Sequence, residues 1–454
     1  MKRLLLFLML APMLMLPQPP GVLAESEDEA FGGDFSSGFG SEVDLGGVLR
    51  FDTRVTADYV HPEKSPVESH PELYLDLDYQ GESSDVVANL EIRPDYLEAG
   101  TTARDFAEAL VDETYVSLYY DRLTLSAGYL KRVWGTGDQI HVVDVLNSTD
   151  FRDFVNPDYL ERRLARPMLH LAFDLGPQGR LETAYLPVFQ GDTIPQDGRW
   201  VPSDVRELLA LVGETPVLEP ETSTLEWGQF GARYRNSFGR VDLGVIYYHG
   251  FLKQPSVVFD TPTGGPESFT EDDQVLLDYD RVNVFGMEYA AVLGGFNTRG
   301  ELAYSLTKDI SGDDPQVTNP SLGYLAGVDR DLPVSSLNVN LQLVGEIVLG
   351  SGEIESNVEE QSTFDFQYDE DGEYTSHIVS LALTDSYANN RIRPEAALSY
   401  GIEDRDYYLN PSLEFSLVDD ALLRLEAAFF LGEEGYFGQF EDNDYLELRF
   451  EYAF

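Results

Sequence analysis

No cysteine occurs in the 454 residues. Disulfides therefore cannot staple the fold, and no lipid can be attached through a lipobox thiol. Histidine is scarce: the six residues are His61, His70, His141, His170, His249 and His377. None falls in an H-E-x-x-H helix or beside a G-x-S-x-G elbow. His377 follows Ser376, but neighbours on a strand point to opposite faces. His170 and Asp174 share a strand face, yet four residues of strand span about 13 Å, too far to touch. The sequence thus reads as a non-enzyme without a cofactor. Basic residues are few, 30 against 81 acidic, for a net charge of −51. That balance repels nucleic acid and anionic head groups. No run of 18 apolar residues is present, which excludes a transmembrane helix. Disorder is excluded in turn by an apolar fraction of 43% and an aromatic fraction of 12%.

What is present begins with MKRLLLFLMLAPMLMLPQPPGVLAES. Lys2 and Arg3 precede an apolar run from Leu4 to Leu16, and Val22-Leu23-Ala24 is a small-x-small cleavage site. We read residues 1–24 as a cleaved signal peptide. Its loss removes two positive charges and takes the net charge from −51 to −53. Residues 25–44 follow as a flexible acidic tail. From residue 45 to 454 the chain alternates apolar and polar residues, the period of a β-strand. At the C-terminus, Leu446, Leu448, Phe450, Tyr452 and Phe454 alternate with Tyr445, Glu447, Arg449 and Glu451. Arg50, Asp52, Arg54 and Asp58 oppose Leu49, Phe51, Val55 and Ala57, and Asp76 and Asp78 oppose Leu75, Leu77 and Tyr79. Further on, Arg393, Glu395 and Glu403 oppose Ile392, Ala396, Leu398 and Ile402. Glu91 and Arg93 join the charged set. Helical patterns are few: Ala103–Val111, Tyr159–Ala165 and Val205–Val212.

Eighteen strand segments are legible, centred near residues 52, 75, 89, 117, 127, 171, 184, 231, 246, 286, 302, 325, 343, 381, 398, 412, 427 and 449. Short turns such as YDRL, GPQG, NSFG and LGGFN alternate with long polar links such as 131–167 and 190–226. A sandwich has no reason to sort its connections by parity. An up-and-down barrel with both termini at the periplasmic rim does. The expected fold is an all-β, antiparallel transmembrane barrel of 16–18 strands, charged inside and apolar outside. Aromatic residues near strand ends, Tyr119-Tyr120, Tyr129, Trp134, Tyr247-Tyr248, Tyr407-Tyr408 and Phe429-Phe430, would form its interfacial belts.

The ending FEYAF, with Phe450, Tyr452 and the terminal Phe454 in alternation, resembles the C-terminal signature of bacterial outer-membrane barrels. That resemblance implies recognition by the barrel-assembly machinery. The stretch GYLKRVWGTGDQIHVVDVLNSTDFRDF, with RPMLHLAFDLG and LETAYLPVFQG after it, is similar to an uncharacterised family of porin-like outer-membrane proteins. Members usually carry Asn-Pro where this chain has Asn147-Ser148.

The third long link, 131–167, concentrates basic residues: Lys131, Arg132, Arg152, Arg162, Arg163 and Arg166. In general porins the third loop folds into the lumen and narrows it, and the same role is expected here, with Asp150 and Asp153 in the constriction. The competing reading pairs these arginines on the surface with Asp150, Asp153, Asp158 and Glu161. Asp369, Asp371 and Gly372 resemble half of a calcium loop in spacing only, since Gln367 and Ile378 stand at its first and twelfth positions. The functional expectation is a passive, weakly cation-preferring porin for small hydrophilic solutes, in contact with outer-membrane lipid. A plugged surface barrel acting as adhesin or envelope scaffold is the alternative, and an outer-membrane hydrolase a third. Oligomeric state is open, a homo-oligomer included.

Overall fold

The computed structural model describes residues 42–56, 67–93, 110–138, 140–152, 159–212, 217–259, 275–361 and 363–454. The signal-peptide assignment, the tail up to residue 41, Asp58 and Asp153 lie outside these residues, as does nearly all of the helix expected at 103–111, while residues 42–44, expected in the tail, already belong to the first strand.

Eighteen long strands form one sheet. They are β1 (Glu42–Thr56), β2 (Val67–Gln80), β3 (Ser84–Ile92), β4 (Val111–Tyr120), β5 (Leu123–Leu130), β6 (Arg166–Asp174), β7 (Gly179–Leu186), β8 (Gln229–Phe238) and β9 (Val241–Phe251). The second half comprises β10 (Arg281–Leu293), β11 (Phe296–Thr307), β12 (Ser321–Asp331), β13 (Asn338–Val348), β14 (Thr375–Thr384), β15 (Ile392–Gly401), β16 (Tyr407–Val418), β17 (Ala421–Leu431) and β18 (Tyr445–Ala453). Each pairs antiparallel with the next, and β1 pairs with β18, so the sheet is closed and has no edge. All eighteen segments expected from the sequence are found. Tyr159–Arg162 and Ser203–Val212 are helical, near two of the three expected turns, and Ser351–Glu359 is a helix that the sequence pattern did not reveal.

The closing seam shows why the alternation sets the register. Arg50 stands opposite Glu451, Asp52 opposite Arg449 and Arg54 opposite Glu447. All three pairs are bonded, at 2.8, 3.0 and 2.8 Å. A one-residue slip would carry these charges into the outer face and the apolar set inward. Outside the barrel, Leu45 is 71% exposed and Leu446 62%. Phe51, Val55, Leu448, Tyr452, Phe285 and Met287 share that face. Soluble monomers rarely present so continuous an apolar belt to water. A closed barrel with every strand paired and an apolar exterior is what hydrocarbon requires. The protein is an outer-membrane β-barrel.

The connections sort by rim. Turns of two to seven residues, such as 121–122, 239–240 and 294–295, lie at one rim together with the start of β1 and the end of β18. At the other rim lie the long links 131–165, 187–228, 252–280 and 349–374, among which only 402–406 is short.

The aromatic belts need correction. Tyr120, Tyr129, Tyr247 and Tyr407 are exposed as expected, but Trp134, Tyr248, Tyr408 and Phe430 are buried inside the barrel. Adjacent residues on a strand face opposite ways, so Tyr247-Tyr248, Tyr407-Tyr408 and Phe429-Phe430 each turn one ring inward, whereas Tyr119 and Tyr120 are both exposed. The inward rings build two apolar clusters in the lumen. One gathers Ile140, Phe151, Trp200, Tyr408, Phe430 and Phe437. The other gathers Trp134, Val143, Leu146, Ile246, Val284 and Ala303. These clusters lie among inward charges that run round the ring, from Arg50 and Asp52 at the seam to Arg233, Glu288 and Glu301 and on to Glu426.

Candidate functional site

The segment 131–152 leaves β5 and turns into the barrel. Trp134, Ile140, Val143, Leu146 and Phe151 are all at most 2% exposed. The wall receives them through small inward residues. A Cβ on Gly231 would meet the Trp134 ring at 2.7 Å, and one on Gly286 would meet Val143 at 3.1 Å. Polar pins fix the crossing. The buried Asn147 donates to the carbonyls of Leu130 (2.8 Å) and Leu164 (2.9 Å) and accepts from the Arg132 N–H (2.8 Å). Asp138 reaches the β11 and β13 wall, pairing with Arg299 and accepting from Asn340.

The basic residues of this link have separate fates. Arg163 is 4% exposed and pairs with Asp144 at 2.6 Å, while its ring partner Tyr159 also bonds Asp144. Burial works against the Arg163 charge, but Asp144 and Tyr159 outweigh it and hold its pKa above the ordinary value. Lys131 pairs with Asp112 at 2.6 Å, and Arg132 lies over the Tyr115 ring. Arg152 is exposed and pairs with Asp150 at 2.6 Å. Arg166 donates to Gln190. Glu161 crosses to Arg50 on β1 at 2.6 Å.

A second segment, 187–228, spans the mouth. It starts between the neighbouring strands β7 and β8, yet Trp200 packs against Phe430, Phe440 and Tyr445 of β17, β18 and their link, half-way round the ring. Ser203 N–H donates to Gln439 (2.8 Å) and Asn443 donates to the Arg199 carbonyl (2.8 Å). Beside its root, Phe189, Trp227, Phe251 and Tyr279 pack ring on ring over the half-buried Lys253. Burial lowers the Lys253 pKa to about 7, with Asp192 opposing. Three short strands, Val217–Leu218, Ser256–Phe259 and Val275–Asp278, knit this strap to the next link.

Between strap, inward segment and the β1–β6 wall lies a cavity of about 1380 Å³. Of the constriction and wall residues expected from sequence, Arg54, Glu91, Arg93, Asp150, Arg152, Arg162, Arg163 and Arg166 line it together. His70, Phe189 and Trp200 complete a surface both charged and aromatic. Lys131 and Arg132 are not part of its lining. Arg50 and Asp52 face inward at the seam, Asp76 and Asp78 lie on β2 towards the short-turn rim, and Arg393 and Glu395 stand on β15, paired with Glu414 and Arg424. Glu403 accepts from His377 at 2.5 Å.

Two His–carboxylate pairs escaped the sequence reading, His377–Glu403 and His141–Glu301. Neither pair is adjacent in sequence, and Glu301 looks like any acidic residue on an alternating strand. In the acidic loop, the Asp369 carboxylate accepts the N–H groups of Asp371 (2.7 Å) and Glu373 (3.3 Å), with Gly372 left-handed at φ 72°. It caps a turn. Among the described residues no group of three or more His, Cys, Asp or Glu is placed to hold a metal ion.

The profile of the family described as "Protein of unknown function (DUF1302)" matches residues 78–454. The chain belongs to the DUF1302 family. No curated protein matches the sequence. Among solved structures, this DUF1302 protein is similar in architecture to OpdL of Pseudomonas aeruginosa (12% identity, TM-score 0.48, 91% of this chain and 98% of that one). It is similar also to OccAB4 of Acinetobacter baumannii (12%, 0.49, 91% and 98%). A third is Wzi of Escherichia coli, described as a carbohydrate-binding β-barrel involved in capsule assembly (12%, 0.47, 89% and 84%). In the DUF1302 protein the departure at Asn147-Ser148 leaves a working pin, since Ser148 donates to the Gln190 carbonyl at 2.5 Å and ties the inward segment to the strap.

Proposed function

We propose that this protein is a passive channel of the outer membrane that admits small hydrophilic solutes, needing no cofactor. The observation that carries the reading is the charged cavity of about 1380 Å³ at the long-link mouth, bounded by an inward segment. An 18-stranded ring has room for an aqueous path beside such a segment. In this reading the short-turn rim and both termini face the periplasm, and Arg152 and Arg166 with Asp150 face solute at the constriction, while Arg162, expected there from the sequence, is only 2% exposed. The paired, buried Arg163 holds the constriction together. The excess of acidic residues, 81 against 30, gives the mouth a negative potential and the channel a weak cation preference. Insertion relies on the terminal strand, with Phe450, Tyr452 and Phe454 read by the barrel-assembly machinery. Single-channel recording with ion substitution tests the proposal: discrete conductance steps with modest cation selectivity support it, and a silent, correctly folded barrel rejects it.

One observation favours a second reading, a closed barrel whose loops carry the function. The strap crosses the mouth, and two apolar clusters fill part of the lumen. The same recording separates the two.

A further inference from the structure

The inward segment is irregular backbone placed inside a barrel, so its N–H groups need partners away from water. One side chain satisfies four of them. Glu301, on β11, has a fully buried carboxylate. Its Oε1 accepts the N–H groups of Thr136 (2.6 Å) and Gly137 (2.7 Å), and its Oε2 those of Val142 (2.7 Å) and Val143 (3.2 Å). His141 Nδ1 stands 3.1 Å from Oε1. The segment thus curls into a nest of donors around a single anion supplied by the wall. Gly135 makes the approach feasible: its φ is +131°, and a Cβ there would come within 2.4 Å of both Glu301 Oε1 and His141 Nδ1. The Thr136 hydroxyl adds a bond to the Tyr289 carbonyl at 3.2 Å, and Arg233 donates to the Gly135 carbonyl at 3.3 Å.

We infer that Glu301 is the positioning residue of the constriction: it fixes segment 131–152 against the far wall, and so sets the width left open beside the β1–β6 side. The inference rests on the channel reading for its functional consequence. Apolar contacts also hold the segment, but they are non-directional and permit sliding. The nest permits one position. Glutamine in place of Glu301 offers one accepting oxygen and turns an NH₂ group towards N–H donors, so donors face donors and the fit is lost. The negative charge that strengthens each bond is lost as well.

The test uses the absence of cysteine. Ile140 is 2% exposed and lies in the inward segment, so Ile140→Cys supplies a single thiol that reports whether the segment is seated. Full-length barrels carrying Ile140→Cys are compared with and without Glu301→Gln, and with Gly135→Ala, which breaks the nest from the other side. Heat-modifiable migration selects folded barrels. Labelling by a sulfonated maleimide should accelerate at least tenfold in both nest variants, and single-channel conductance without the cysteine should rise at least twofold. Folded variants that label at the parent rate overturn the inference, whatever the conductance. If the parent itself is silent in a bilayer while the labelling accelerates, the nest stands as the anchor of the segment and the channel reading falls.

Discussion

At the scale of single residues, the basic side chains of 131–166 separate by burial. Arg163 and Asp144 form a buried pair, with side-chain exposures of 4% and 0%. Removing one partner leaves a charge without compensation, at a cost of about 3–5 kcal/mol. Arg163→Ala should therefore lower the temperature at which the folded band converts to the unfolded one on gels. A variant that melts with the parent would show that the pair does not hold the fold. Arg152 is the contrast. Its side chain is 58% exposed in its pair with Asp150, and such pairs contribute about 0–1 kcal/mol. Arg152→Ala should leave melting unchanged and raise cation preference, because a positive charge leaves the cavity wall. A reversal potential identical to the parent's would place Arg152 away from the ion path.

Among the elements, the strap and the closing strand carry the sharpest expectations. Trp200 is the only strap aromatic that reaches the β17–β18 side among the described residues, and it is 6% exposed. Truncating a buried Trp costs about 3–5 kcal/mol. That loss is local to the strap's far end, since the barrel ladders do not depend on it. Trp200→Ala should leave the barrel heat-modifiable and make 187–228 sensitive to protease added from outside. Equal resistance in parent and variant would show that the strap's other contacts, Gln439 and Asn443 among them, hold it without Trp200. At the seam, Phe454 exchanges backbone bonds with Gly47 (3.0 and 3.1 Å), where a Cβ would meet the Phe454 ring at 2.9 Å. Phe454→Lys puts a charge on the lipid face next to the closing pair. It should cut the folded fraction in the outer membrane well below the fraction exported across the inner membrane, as fractionation would measure. Normal assembly of this variant would deny the terminal strand its role as a signal.

For the whole molecule, acidic excess and a low-dielectric wall act together. The cation preference should shrink as salt rises, because exposed charges are screened over about 10 Å at 0.1 M and about 3 Å at 1 M. Reversal potentials measured at a fixed gradient and increasing mean concentration test this. A preference that survives 1 M salt would point instead to a narrow, desolvated contact inside the constriction.

The period-two pattern was enough to determine a barrel of 16–18 strands, of which eighteen are found, the sorting of links by rim and the inward direction of Arg50, Asp52 and Arg54. These follow from local geometry: alternate residues share a face, and lipid tolerates only apolar ones. The narrowing role of 131–167 was suggested by resemblance and by its cluster of arginines, but the partners of those arginines were not legible. Arg163 finds Asp144 and Glu161 finds Arg50, rather than the surface acids 150–161 alone. Nor could the sequence assign Tyr248, Tyr408 and Phe430 to the lumen, since a pair such as Tyr407-Tyr408 reads the same in either register. Glu301 and Trp200 were invisible for a different reason. Their partners are 158–165 and roughly 230–245 residues away in the chain, and only closure of the ring brings those strands across from one another. Local alternation decides which face a side chain takes; which group meets it across the lumen is decided by the three-dimensional path of the long links.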